Sequence, residues 1–301
     1  MSVTCYAAPR GAGGLHFEWM SHYGTLVRLE RRSDGVALIT IDNAPVNALT
    51  TPVFGELLAI MHELQATPPR AAVLAGQPKV FALGGEISET RRTRFEGRAD
   101  ISDDELDAAV RDIMDPAYIR ELGRKYLTTF DALANLPCAV VAAIQGIAFG
   151  GGLELALACD YRIASERAKL ASPEVTLGGG TIGGGLFRMT RLIGPSLAKK
   201  MYMGGAPVTA ARALEIGLID EVVPAEALLQ RALDTAAEFA EHAGPAQAAM
   251  KRLIDTGHDL SEQEAAAAEL EAWCASYATE DARTRLRAFF AKGAAAPKPR
   301  T

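Results

Sequence analysis

The stretch AVVAAIQG, Ala139 to Gly146, limits the folds open to this chain more than any other segment. From Ala139 to Ile144 it is apolar without interruption. A strand of that kind has no solvent face, so it belongs in a sheet covered on both sides, the usual situation of parallel sheets flanked by helices. GVALITID (Gly35 to Asp42) and AAVLAG (Ala71 to Gly76) read as two further strands. Between them, NALTTPVFGELLAIMHELQ reads as a loop followed by an amphipathic helix. Thr50 or Thr51 is placed to cap that helix, and Pro52 is tolerated in its first turn. Short strands fit Tyr161–Ala164 and Ala168–Ala171, and the chain turns helical after about residue 195. Strand–helix alternation of this kind predicts an α/β fold.

The chain has 301 residues, 49% of them hydrophobic, enough for one large domain or two small ones with a sizeable core. The net charge of −6 argues against a general nucleic-acid binder, which is usually basic. Cys5, Cys138, Cys159 and Cys274 lack CxxC spacing and read as reduced thiols of a cytoplasmic protein. No segment has the length of a membrane span, and the first 22 residues lack the apolar run of a signal peptide. The reading divides the chain into a flexible extension over 1–22, an α/β core over 23–204, a helical region over 205–292 and a loose tail over 293–301. Residues 88–124 interrupt the core as a charged insertion and read as a solvated excursion, with an amphipathic helix from Lys125 to Leu136.

Glycines follow two of the strands. In GIAFGGGLELALACD a helix is expected to begin near Gly151, and its first amides have no partner within the helix. A second pair, Gly84 and Gly85, occurs in VFALGGEI. Glycine allows a ligand to approach the backbone closely, so two such loops converging would stabilise an oxyanion. One turn beyond Gly151 stands Glu154, in otherwise apolar surroundings. Two readings of it stay open: a proton-transfer group beside the oxyanion site, or a buried, hydrogen-bonded structural glutamate. Glu174, in LASPEVTLGGG, is a second carboxylate ahead of glycines. Gly178, Gly180 and Gly183 formally match GxGxxG, but a dinucleotide site needs a longer preceding strand and an acidic residue about 20 positions on, which is missing. The five histidines are isolated, no GxSxG occurs, and no metal-ligand spacing is present.

VFALGGEI, AIQGIAFGGGLELALACDYRIAS and KLASPEVTLG together resemble the crotonase family, the enoyl-CoA hydratase/isomerase superfamily. IDNAPVNAL resembles its CoA-contacting loop and GLIDEVVP its domain junction, so the resemblance covers roughly residues 25–290. It implies a crotonase-like spiral of ββα units with a helical C-terminal trimerisation region, the trimers often pairing into hexamers. It implies an acyl-CoA substrate, with coenzyme A as part of that substrate and no separate cofactor or metal. It places the thioester oxygen on the amides of Gly85 and Gly151, and the two glutamates of a hydratase at Glu154 and Glu174. Asn47, Ala48, Leu49, Leu83, Gly84, Glu86, Ile87, Gly150 and Ile182 fall on its substrate-binding positions. The implied reaction is addition of water to a 2-enoyl-CoA. Double-bond isomerisation, hydrolysis or decarboxylation, and a non-catalytic acyl-CoA-binding role are the alternatives.

Several positions depart from the family pattern. Thr181 and Ile182 replace a usual Pro-Gly pair, so the Ile182 side chain is expected near the water position. Val46 stands where a basic residue is common, and Glu86 replaces an aspartate. Arg91, Arg92, Arg94 and Arg98 in the long insertion have two readings: phosphate contacts that Val46 cannot make, or salt bridges to the neighbouring acidic run.

Overall fold

The computed structural model describes residues 19–22, 24–85 and 94–294. Twelve strands are found among the described residues. Seven of them, β1 (Trp19–His22), β2 (Val27–Arg31), β3 (Val36–Ile41), β5 (Ala71–Ala75), β7 (Ala139–Ile144), β9 (Tyr161–Ser165) and β12 (Glu221–Val223), form one sheet in that spatial order. The β1–β2 and β2–β3 pairs are antiparallel, and every pair from β3 to β12 is parallel. A short parallel pair joins β4 (Ala48–Leu49) to β6 (Gly84–Gly85). A three-stranded sheet holds β8 (Ile147–Phe149), β10 (Lys169–Ala171) and β11 (Val208–Thr209), with β10 in the centre. The helices are α1 (Thr51–Ala66), α2 (Asp103–Ile113), α3 (Pro116–Ala134), α4 (Gly151–Leu157), α5 (Gly185–Gly204), α6 (Ala210–Glu215), α7 (Leu228–Ala240), α8 (Gly244–Thr256), α9 (Glu262–Tyr277) and α10 (Glu280–Ala294).

The unbroken apolar strands have the predicted cause. Successive side chains point to opposite faces of a strand. Ala37, Ile39, Ala72, Leu74, Val140 and Ala142 enter one core, with Val53, Leu57, Ile60 and Leu64 of α1 and Phe130 and Leu133 of α3. Val36, Leu38, Ala71, Val73, Val141 and Ala143 enter a second core under Leu228, Ala232, Leu233 and Ala236 of α7. Burying each large aliphatic side chain contributes about 2 kcal/mol. Truncating fully buried Leu57 or Leu64 to Ala would cost about 3 kcal/mol.

Three boundaries differ from the sequence reading. Trp19–His22, inside the expected loose extension, is an edge strand paired with β2. The charged insertion, read as a solvated excursion, is mostly exposed and largely helical among its described residues. Ser102 and Glu105 form a capping box at α2, and Asp115 caps α3, with Pro116 at its first position. These are ordinary helix-start signals. The charge density of the segment concealed them, and α3 starts nine residues before the Lys125 expected. Finally, the region after 205 is not wholly helical. β12 extends the main sheet, and α7 covers its second face, because those strands have apolar side chains there that no earlier helix buries.

Candidate active site

The site forms at the carboxyl ends of the parallel strands, where open α/β sheets bind ligands. The chain leaving β5 runs beside the chain leaving β7. The amides of Phe81 and Ala82 both point to the Ile147 carbonyl at 3.1 Å, and the Phe149 amide donates to the Ala82 carbonyl at 3.1 Å. Two segments laid side by side in this way carry Gly84–Gly85 and Gly150–Gly151 to the same place. A Cβ on Gly84 would lie 3.3 Å from the Gly151 amide nitrogen, and side chains on Gly85 or Gly151 would both collide with Tyr126. The sequence-predicted glycines therefore do converge. Gly151 is the first residue of α4, so its amide has no carbonyl to meet within the helix.

Asn47 explains how β4 supports this arrangement. It has φ 49°, a left-handed conformation that asparagine tolerates better than most residues. Its side chain is fully buried. Nδ2 donates toward the carbonyls of Ile41, Val80 and Phe81 at 3.0–3.1 Å, and Oδ1 accepts from the Asn43 amide at 2.9 Å. The Asn47 side chain thus braces the chain that leads into β6. Buried Ala48 and Leu49 follow it and pair directly with Gly84 and Gly85. The Leu83 amide donates to the Val46 carbonyl at 3.1 Å. Glu86 and Ile87 lie outside the described residues.

Glu154 enters the site from the first turn of α4 and is only 2% exposed. The loop between Gly178 and Gly184 wraps its carboxylate. The Gly185 amide donates to Oε1 at 3.2 Å, and the amides of Ile182 and Gly183 also face it. The Thr181 hydroxyl lies close, outside strict hydrogen-bonding geometry. Burial raises the Glu154 carboxyl above the ordinary carboxylate range, and these donors oppose that rise. A Cβ on Gly183 would press on Phe130 at 2.6 Å and on Glu154 Oε2 at 3.2 Å, so glycine is required to close the loop over the carboxylate.

Glu174 reaches the same place from a single 3-10 turn, Glu174–Leu177, that follows β10. Its Oε1 lies over Gly150, and its Oε2 is buried without a hydrogen-bond partner. Burial raises this carboxyl as well, and the neighbouring Glu154 charge raises it further. The two glutamates thus share one electrostatic environment. Ile182 lies beside them through its backbone. Its side chain is 47% exposed and rests against Gly123 of α3.

Three residues that the sequence reading passed over also belong here. Tyr126 stands against Gly85 and Gly151, and Phe130 stands behind Gly183, both packed with Phe54 of α1 at ring-centroid distances of 4.6–6.2 Å. Their four-residue spacing on α3 is an ordinary buried stripe and carries no signature of a site. Tyr202 of α5 brings a buried hydroxyl toward Glu154. In the insertion, Arg94 pairs with Asp112 at 2.6 Å and Arg98 with Glu105 at 2.8 Å, so both side chains are held within the segment itself. Arg91 and Arg92 lie outside the described residues.

The enoyl-CoA hydratase/isomerase family model matches residues 31–119 and 113–297. The chain belongs to the enoyl-CoA hydratase/isomerase family. Among its relatives in this family, it is 33% identical to a probable enoyl-CoA hydratase of Rhizobium meliloti over 91% of this chain and 97% of that one. It is 32% identical to the 2,3-dehydroadipyl-CoA hydratase of Escherichia coli over 87% of this chain and 94% of that one. The crystal structure of the Bacillus anthracis enoyl-CoA hydratase has the same crotonase fold, with a TM-score of 0.78 at 30% identity over 89% of this chain and 97% of that one. The Pseudomonas aeruginosa protein DspI aligns with a TM-score of 0.77 at 31% identity, covering 91% and 96% of the two chains. Among the described residues, no helix is long and apolar enough to cross a membrane.

Proposed function

We propose that the protein hydrates the double bond of a 2-enoyl-CoA thioester, with Glu154 and Glu174 as the proton-transfer pair. The observation that carries this reading is the meeting of the buried Glu154 carboxylate and the partly buried Glu174 carboxylate with two glycine-lined backbone segments. The thioester oxygen sits at the amides of Gly85 and Gly151, where hydrogen bonds strengthen as the carbonyl becomes an enolate. Glu154 faces backbone donors, which favour its ionised form. It takes a proton from the water whose oxygen adds to C3. Glu174 has no donor on Oε2 and feels the Glu154 charge, so it is the better proton carrier of the two. It gives its proton to C2 as the enolate collapses. The carboxylates exchange the proton afterwards and titrate as a coupled pair.

The experiment follows loss of the conjugated-enoyl absorbance with crotonyl-CoA and longer 2-enoyl-CoAs, with the product identified by mass. A gain of one water, reduced at least 100-fold in both Glu154→Gln and Glu174→Gln, is the expected result. A product of unchanged mass with a moved double bond would assign isomerisation instead.

The proposed assembly is a trimer or a pair of trimers in the cytoplasm. Trp273, Tyr277, Phe289 and Phe290 on α9 and α10 are more than half exposed, a concentration of aromatic surface that a second copy of the chain would cover. Light scattering on the purified protein tests it, with a monomer as the contrary result.

A further inference from the structure

The Tyr202 hydroxyl has no role in the mechanism above, yet it lies at the glutamates. A Cβ on Gly185 would be 2.7 Å from Tyr202 Oη and 2.7 Å from Glu154 Oε1, so the two oxygens flank a single point beside the start of α5. Ser172, the first residue after β10, stands next to Tyr202. The Tyr202 hydroxyl, the Ser172 hydroxyl and Glu174 Oε2 are all buried; the two hydroxyls face each other outside strict hydrogen-bonding geometry, and Glu174 Oε2 has no donor. Buried polar atoms are rarely left unsatisfied. A group of them around a carboxylate is the setting in which one ordered water bridges several partners. Phenylalanine would fill the same space without the polar cost, so packing alone gives no reason for the hydroxyl.

We propose that Tyr202 is a positioning residue for the glutamate pair, its hydroxyl donating through one bridging water to Glu154 while Ser172 fixes the orientation of the phenol. The inference rests on the hydratase reading for its catalytic consequence but not for its electrostatic one. The charged groups around the pair leave room for such a donor. From α4 comes Glu154, and from the 3-10 turn Glu174, both acceptors. Arg188 of α5 is turned away, its Nη1 donating to the Gly183 carbonyl at 2.9 Å and its Nη2 paired with Asp131 of α3 at 2.8 Å. Tyr126 of α3 faces the glycine side of the site. Burial and the two carboxylates together push the Tyr202 phenol up, which keeps it a neutral donor throughout the working range.

Removing a donor from a carboxylate disfavours its charged form and raises its pKa. Tyr202→Phe is therefore expected to move the acidic limb of the kcat/KM profile to higher pH by half a unit or more, with KM within twofold of the parent. The same displacement should appear in a carboxyl carbon NMR titration of Glu154, assigned with Glu154→Gln, and that readout needs no turnover. Ser172→Ala should shift both curves in the same direction by less. Superimposable titrations of the parent and Tyr202→Phe would overturn the proposal, including when the variant merely melts at a lower temperature. A shifted Glu154 titration in a protein that hydrates no enoyl-CoA would retain Tyr202 as the positioning residue and remove the hydratase reading.

Discussion

A carboxylate oxygen of Glu174 lies 2.7 Å from the point where a Cβ on Gly150 would sit. Gly150 also has φ 54° and ψ −126°, a combination that side chains with a Cβ rarely adopt. Both constraints act on the residue that turns the chain from β8 into α4. Gly150→Ala is expected to lower kcat by at least tenfold and to destabilise the fold by about 1–3 kcal/mol. Steady-state kinetics and urea unfolding check the two effects. An alanine variant with parental kcat would show that Glu174 does not need its place above this glycine.

Glu154 supplies a prediction about stability and pH. Its carboxyl is raised in the folded protein, so between the unfolded and folded pKa values the native state holds more protons than the unfolded state. Stability therefore falls as pH rises through that window. Glu154→Gln removes the charge while its amide oxygen can still accept from Gly185. The variant should melt at a higher temperature than the parent at pH 8. That gain should fade as pH drops below the folded pKa, while activity is lost throughout. Calorimetry across pH 4–8 measures it, and a variant less stable than the parent at pH 8 would contradict it.

Asn47 is expected to act through structure. Asn47→Ala leaves the carbonyls of Ile41, Val80 and Phe81 without their shared donor inside the core. A loss of about 3 kcal/mol is expected from such a deletion. Because β4 and β6 then lose their brace, kcat should fall along with stability. If Asn47 contacted the substrate through its side chain, KM would rise with unfolding unchanged, and chemical denaturation separates the two cases.

Arg94 and Arg98 are tied to Asp112 and Glu105 on the surface. Exposed pairs of this kind contribute little. The double change Arg94→Ala with Arg98→Ala should leave the affinity for crotonyl-CoA within twofold in titration calorimetry. A tenfold weakening that depends on the 3′-phosphate of CoA would restore the phosphate-contact reading of these two residues.

The sequence by itself determined the parallel sheet, because strands apolar on both faces have one stable environment. It also determined where Gly85, Gly151, Glu154 and Glu174 stand relative to their strands, since glycines and lone acids interrupt apolar runs visibly. Tertiary structure decided the rest. Asn47 became a brace because the carbonyls that receive its side chain come from segments up to 34 residues away. The side chain of Ile182 was directed by its contact with Gly123, a residue in a segment read as an excursion. Tyr126, Phe130 and Tyr202 look like ordinary helix residues in the sequence and join the site only when α3 and α5 pack beside α4. Local pattern records which backbone each residue prefers. It does not record which distant side chain will face which carboxylate, because that follows from packing between elements that share no sequence neighbourhood.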